Sequence, residues 1–215
     1  MKFYKFILTF LIALSTTHTF ASTVYTSNFK IGFEDTPASM FSDLDNNDLI
    51  FNIASKTHVD SNGKIIKVII NTVPIALGAE NDLQLVVSSD QGGASIIIHQ
   101  ENDTVDYYLP HTIYTATDEL NNMFQGCASK KMINVYENQE SCEGTELSFT
   151  IIFNDLLQPS FSSYENAENF VAGLFSLNNL TLNQTINLAT TSNGFQNMML
   201  LPEDLEISAS ETNNF

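Results

Sequence analysis

No tryptophan and no arginine occur anywhere in the chain, and eight lysines stand against 25 acidic residues. Without tryptophan the strongest stacking platform for a sugar ring is missing. Tyr107, Tyr108, Tyr114 and Tyr136 could replace it, but all fall in strand-like runs, where aromatic side chains serve the core or cross-strand pairs. The formal charge of −17 repels nucleic acid and anionic lipid and favours cations or basic partners. Acidity also keeps an exported chain soluble, and this accounts for part of the imbalance. The two cysteines, Cys127 and Cys142, have no histidine near them in sequence and make a poor zinc site. There is no G-x-S-x-G elbow, no internal repeat and no twin-arginine signal. His18, His58, His99 and His111 are scattered, with no sequence context that would make them catalytic. His99 reads as a strand-end or surface residue and His111, after Pro110, as a loop residue.

The N-terminus has the pattern of an export signal. Lys2 and Lys5 precede an apolar run from Phe6 to Leu14, and Thr19-Phe20-Ala21 places small residues for cleavage before Ser22. The apolar run is too short for a membrane span. Residues 1–21 are therefore expected to be removed, leaving a secreted or periplasmic chain that does not insert in a membrane. Loss of Lys2 and Lys5, with no acid in that segment, takes the formal charge from −17 to −19. Residues 22–201 then suit one all-β domain with a sizeable core, and residues 202–215 form an acidic tail. An even cysteine count in an exported chain argues for a Cys127–Cys142 disulfide. Closing that loop of about 15 residues is worth on the order of 3 kcal/mol.

Short β-type runs recur along the chain, separated by turn signals. Phe29, Ile31 and Phe33 share one face of a strand spanning residues 23–33. Residues 49–55 and 64–72 flank Asp60-Ser61-Asn62-Gly63, whose Asn-Gly pair predicts a hairpin. Strands follow at 83–87 and 94–99, with Asp90 to Gly93 turning one back into the other. Further strands at 105–109 and 112–115 flank Pro110, which marks an interrupted or edge strand. Residues 131–136 and 146–153 flank Cys142 and suggest a stapled hairpin. Ser162-Ser163-Tyr164-Glu165 fits a capping box, and Phe170, Leu174 and Leu177 predict a short helix over residues 167–177. Residues 180–188 and 195–201 return to strand-like texture. The expected fold is an antiparallel β-sandwich, jelly-roll-like, with one short helix.

The densest chemistry lies between Glu34 and Asp48, where five carboxylates occur with no lysine. Asp43, Asp45 and Asn47 fall at i, i+2 and i+4, a spacing that turns successive oxygen side chains onto one point. Together with Glu34, Asp35 and Asp48 they predict a Ca²⁺ site, because this ion takes six to eight hard oxygen ligands. A lone D-x-D is more often a solvated turn before a strand; the added acids favour the cation. The loop is not an EF-hand. Counting from Asp43, position 6 is Asp48 instead of glycine and position 12 is Ala54 instead of glutamate. A bidentate ligand must therefore come from elsewhere, and Glu34 or Asp35 is the candidate. Paired carboxylates can also hydrolyse a glycoside, but acids this crowded fit a shared cation better.

Phe33-Glu34-Asp35 followed by Ser42-Asp43-Leu44-Asp45-Asn46-Asn47-Asp48-Leu49-Ile50-Phe51 resembles the LruC-type domain of secreted bacterial proteins. It also resembles a related domain of unknown function in PEP-CTERM-associated proteins. Ala76-Leu77-Gly78-Ala79, then Asn81-Asp82-Leu83-Gln84-Leu85, is similar to a second segment of that family. The likeness covers residues 29–100 or thereabouts, and the family's later Asn-Pro-Phe-Ile and Glu-Ile-His-Leu-Pro type motifs are not found. It implies a calcium-binding β-sandwich module and no reaction. The functional expectation is thus an exported, calcium-binding module with a structural, adhesion or interaction role and no catalysis. Its partners would be calcium and an extracellular or cell-surface protein or glycan. The competing expectation is a carbohydrate-binding or glycan-processing protein, which an exposed aromatic platform or a carboxylate pair in an open cleft would favour. A closed acidic loop packed against a strand end would favour the module. Asn102-Asp103-Thr104, Asn179-Leu180-Thr181 and Asn183-Gln184-Thr185 are glycosylation sequons if the source is eukaryotic.

Overall fold

Alternation of apolar and polar residues along most of the chain leads to two antiparallel sheets in a computed structural model, which describes residues 22–35, 48–77, 81–89, 93–100, 103–117, 123–124, 144–192 and 194–201. In chain order the strands are β1 Thr23–Phe33, β2 Leu49–Val59, β3 Ile65–Leu77, β4 Leu83–Val87, β5 Ala94–Gln100, β6 Asp103–Tyr108 and β7 His111–Ala116. They continue as β8 Leu147–Phe153, β9 Phe175–Asn179, β10 Gln184–Ile186, β11 Thr191–Ser192, β12 Phe195–Gln196 and β13 Met198–Leu201. One helix, α1, spans Ala167–Ala172. Seven strands form the larger sheet in the order β13-β1-β2-β3-β8-β5-β6, and four form the smaller, β10-β9-β4-β7. The all-β sandwich with one short helix is therefore the architecture.

The core lies between these sheets. Phe29, Ile31, Phe33, Phe51, Ile70, Phe149 and Ile151 project from the larger sheet, and Leu85, Tyr114, Phe175 and Leu177 meet them from the smaller. The rings of Phe51 and Tyr114 sit 5.4 Å apart, and those of Phe149 and Phe175 6.4 Å apart. Tyr114 also ties β7 to the opposite sheet, its hydroxyl lying 2.8 Å from the Thr72 carbonyl oxygen and 2.6 Å from that of Thr145. Burial, with Glu146 nearby, pushes its phenol well above the ordinary value, so the hydroxyl stays a donor.

The β2–β3 hairpin forms as its Asn-Gly pair predicts. Asp60 Oδ1 accepts from the backbone N–H groups of Asn62 and Lys64, both at 2.8 Å, and Gly63 takes φ +74°. Both strands run longer than expected, β3 through Pro74. A bulge makes this tolerable: Ile50 pairs Ala76 and Phe51 pairs Pro74, which leaves Ile75 without an opposite residue.

One pairing differs from the expectation. β4 and β5 are not a hairpin, because β4 pairs β7 and β9 while β5 pairs β6 and β8; the turn between them carries the chain from one sheet to the other. Leu109-Pro110 makes the return crossing, and β6 and β7, either side of it, are each an outermost strand, as an edge proline predicts. Residues 131–136, expected to pair with residues 146–153, lie outside the described residues. β8 has β3 on one side and β5 on the other, so both its hydrogen-bonding edges are taken. Cys127 and Cys142 also lie outside the described residues, as do residues 1–21 and 202–215.

The helix is also shorter than its apolar spacing suggests. Ser162 and Ser163 sit in a 3-10 turn, Phe161–Ser163, and the N-cap is Asn166, whose side chain accepts from the Asn169 N–H at 2.8 Å. Gly173 ends the helix, and Leu177 belongs to β9 instead. Phe170 and Leu174 remain buried as expected, the former against Tyr164 at 4.7 Å between ring centres. Asn-capping competes better than a serine further back, and the bulky apolar run Phe175-Ser176-Leu177 is drawn into the sheet by pairing with β4.

Candidate metal centre

Glu34 and Asp35 follow directly on β1, and Asp48 directly precedes β2. Phe33 pairs with Leu49, so the three acids are placed opposite one another where this strand pair ends. Asp43, Asp45 and Asn47 belong to the connecting segment and lie outside the described residues. Of the six ligands expected from sequence, the structure thus brings together Glu34, Asp35 and Asp48.

One carboxylate oxygen from each of the three lies within 4.8 Å of the other two. Glu34 is 1 % exposed and Asp35 2 %, while Asp48 is partly buried. Two ionised carboxylates at this separation repel by about 3–4 kcal/mol at an effective dielectric constant near 20. The chain relieves this in a specific way. Burial first, then the charges of Asp35 and Glu34 and a side-chain hydrogen bond with Glu34, push the Asp48 carboxyl up to about 9; the Asp35 N–H, donating to Asp48 Oδ2 at 2.9 Å, pulls in the opposite direction. Without a cation, a value this high keeps Asp48 protonated at neutral pH, with its carboxyl hydrogen-bonded to Glu34. Chemically, the cluster can hold a proton or exchange it for a positive ion.

Three amides from distant strands hold the acids in place. Asn81, before β4, donates from Nδ2 to Asp35 Oδ2 at 2.7 Å. Asn179, the last residue of β9 and 1 % exposed, donates to the Asp35 carbonyl oxygen at 3.0 Å and accepts from the Leu182 N–H at 2.9 Å. Asn197, before β13 and fully buried, accepts the Glu34 N–H on its carbonyl oxygen at 2.9 Å. Its Nδ2 lies 3.4 Å from the Glu34 carbonyl oxygen, and its Oδ1 is buried without a hydrogen-bond partner among the described residues. Asn81 belongs to the Asn81-Asp82 segment singled out by family likeness, but nothing in its local sequence predicts the contact. Asn179 reads as a sequon asparagine, yet its buried, doubly bonded amide is closed to modification in the folded chain. Asn183, exposed in the turn before β10 at φ 51°, is the accessible one of the pair.

The three described histidines stand apart on separate strands. His58 is on β2, held below its ordinary pKa by burial and by Lys67 and Lys56. His99 is exposed on β5, 2.8 Å from Thr150 Oγ1. His111 opens β7 instead of lying in a loop, stacked on Tyr107 at 4.0 Å and held low by burial. The described carboxylate cluster includes none of them. Comparison with protein-family models, curated proteins and solved structures returns no match.

Proposed function

We propose that the chain is an exported, calcium-binding β-sandwich module with a structural, adhesion or interaction role and no catalysis. The observation that carries this reading is the convergence of Glu34, Asp35 and Asp48 at a strand end, two of them closed off from solvent. Buried like charges are unfavourable unless neutralised, and three hard oxygen donors suit Ca²⁺ over a softer ion. Asp43, Asp45 and Asn47, on the segment joining Asp35 to Asp48, are the proposed further ligands. The motif likeness of residues 29–100 to the LruC-type domain supports the same reading.

Burial also separates this reading from glycoside hydrolysis. A catalytic carboxylate pair must reach a bulky substrate, whereas Glu34 and Asp35 are almost wholly covered. The test is calorimetry of the full chain with millimolar Ca²⁺ and with excess EDTA, alongside metal analysis of the purified protein. At 100 times its Kd, calcium adds about 2.7 kcal/mol, a shift of several degrees in Tm. Superimposable melting curves would overturn the proposal.

A further inference from the structure

We propose that the outer face of β1–β3 is a binding furrow for an acidic glycan. Two adjoining hollows, of about 510 and 220 Å³, share Asn28, Ala54 and Asn71 and together cross the three strands. Strand register explains the shape. Asn28 pairs Ala54, and Ala54 pairs Asn71, so a single methyl group separates two exposed amides that stand about 10 Å apart. At one end the row Lys30–Asn52–Val73 bounds the furrow, and at the other Thr26–Lys56–Ile69. These rows are four residues apart, or about 13 Å, long enough for a few sugar rings.

The lining specifies the ligand. Each of Asn28, Asn52 and Asn71 offers two donors and an acceptor, the complement of a ring hydroxyl, and Thr26 adds another of both kinds. Phe29 turns its ring into the core, so none of the described lining residues offers an aromatic face to a stacked neutral sugar. Hydrogen bonds and charge must therefore carry recognition. In a chain of net charge −17, every lysine among the described residues lies in β1, β2, β3 or the β2–β3 turn: Lys30, Lys56, Lys64 and Lys67. Lys67 pairs His58 on the row next to Lys56, so two ammonium groups stand on adjacent rows at this end; His58 is lowered first by burial and then by both lysines. Among the described lining residues the one carboxylate, Glu146, belongs to the hollow that includes Lys30. The glycan's carboxylate or sulfate group is thus assigned to the Lys56 end. A peptide strand fits less well: β2, the floor, is paired on both sides along its whole length and has no free edge to extend.

This site is separate from the carboxylate cluster and does not depend on the calcium reading. The experiment is titration calorimetry of the full chain with four probes: oligogalacturonate, a heparin-derived oligosaccharide, a neutral malto-oligosaccharide and poly-glutamate. An acidic oligosaccharide is expected to bind, and the neutral one about tenfold or more weaker. Asn71→Ala and Ala54→Tyr should each weaken binding by about tenfold, the first by removing hydrogen bonds and the second by filling the floor. Lys56→Gln should narrow the gap between acidic and neutral probes. All three positions are exposed, and unchanged melting curves show that the variants fold. No binding by either acidic oligosaccharide at millimolar concentration overturns the proposal, as does binding that survives Ala54→Tyr. Equal affinity for poly-glutamate, insensitive to Asn71→Ala, would reduce the face to bulk charge and overturn it too.

Discussion

Asp35 both repels Asp48 and holds it: its carboxylate lies within 4.8 Å of the other's, while its backbone N–H donates to Asp48 Oδ2 at 2.9 Å. The amide fixes the position of a charge that the carboxylate makes unfavourable. If the cluster takes up a positive ion, as proposed, its behaviour should change sign with one.

Asp48→Asn removes the group under most strain. In calcium-free protein at pH 8 the variant should melt several degrees higher than the parent, because the folded state no longer resists ionisation at that position. With saturating Ca²⁺ the order should reverse. Calorimetry in both states checks this, and the same sign in both would show a charged turn instead of a site. Asp45→Asn, measured alongside, reports whether the connecting segment contributes: a loss of calcium response there enlists Asp45 as a ligand.

Proton and calcium should compete. Asp48 has a folded-state value of about 9 against 3.8 unfolded, so its stabilising contribution is complete below about pH 4 and is lost as pH rises towards 9. Each unit in that window removes at most about 1.4 kcal/mol from the calcium-free protein. The gain from Ca²⁺ should accordingly grow with pH. Near pH 7, binding should release about one proton, visible as an enthalpy that varies with the ionisation heat of the buffer. A buffer-independent enthalpy would contradict it.

Asn179→Ala should destabilise the fold by about 2–3 kcal/mol. The change strands the Leu182 N–H and deprives the Asp35 carbonyl of a donor in a buried setting. Asn183→Ala, four residues on and exposed, loses no buried hydrogen bond and should cost only about 1 kcal/mol, from placing alanine at φ 51°. Urea unfolding of the two variants makes the comparison.

Tyr114→Phe should cost about 1–3 kcal/mol, since the carbonyl groups of Thr72 and Thr145 lose a buried hydroxyl and gain nothing. In a spectrophotometric alkaline titration, one tyrosine fewer should remain protonated in the variant than in the parent until unfolding.

Non-reducing peptide mapping should recover Cys127 joined to Cys142. Alkylation of both thiols in native, unreduced protein would exclude the bridge.

Sequence alternation fixed which residues face inward but not which strand lies next to which. Phe29, Ile31 and Phe33 were legible as core, as were the Asn-Gly hairpin and the edge character around Pro110. The β4–β5 crossing was not, because a Gly-rich turn reads alike whether it reverses a strand within one sheet or passes it to the other. Leu177 was misassigned to the helix for a related reason: its spacing satisfies a helical stripe, and only pairing with Leu85 reveals the strand. At the carboxylate cluster, charge density exposed Glu34, Asp35 and Asp48. The amides that position them come from 46, 144 and 163 residues away and leave no local trace.

Those separations have a temporal consequence. Asn197, just before β13, is among the last residues of the domain to leave a ribosome or an export channel, and it is the one that meets the Glu34 backbone. Until it docks, the carboxylates lack their full frame, and every incomplete chain carries an unfinished cluster. On the calcium reading proposed above, the ion is a latch on finished molecules, and loss of the final strand should abolish its effect before it dissolves the remaining sandwich.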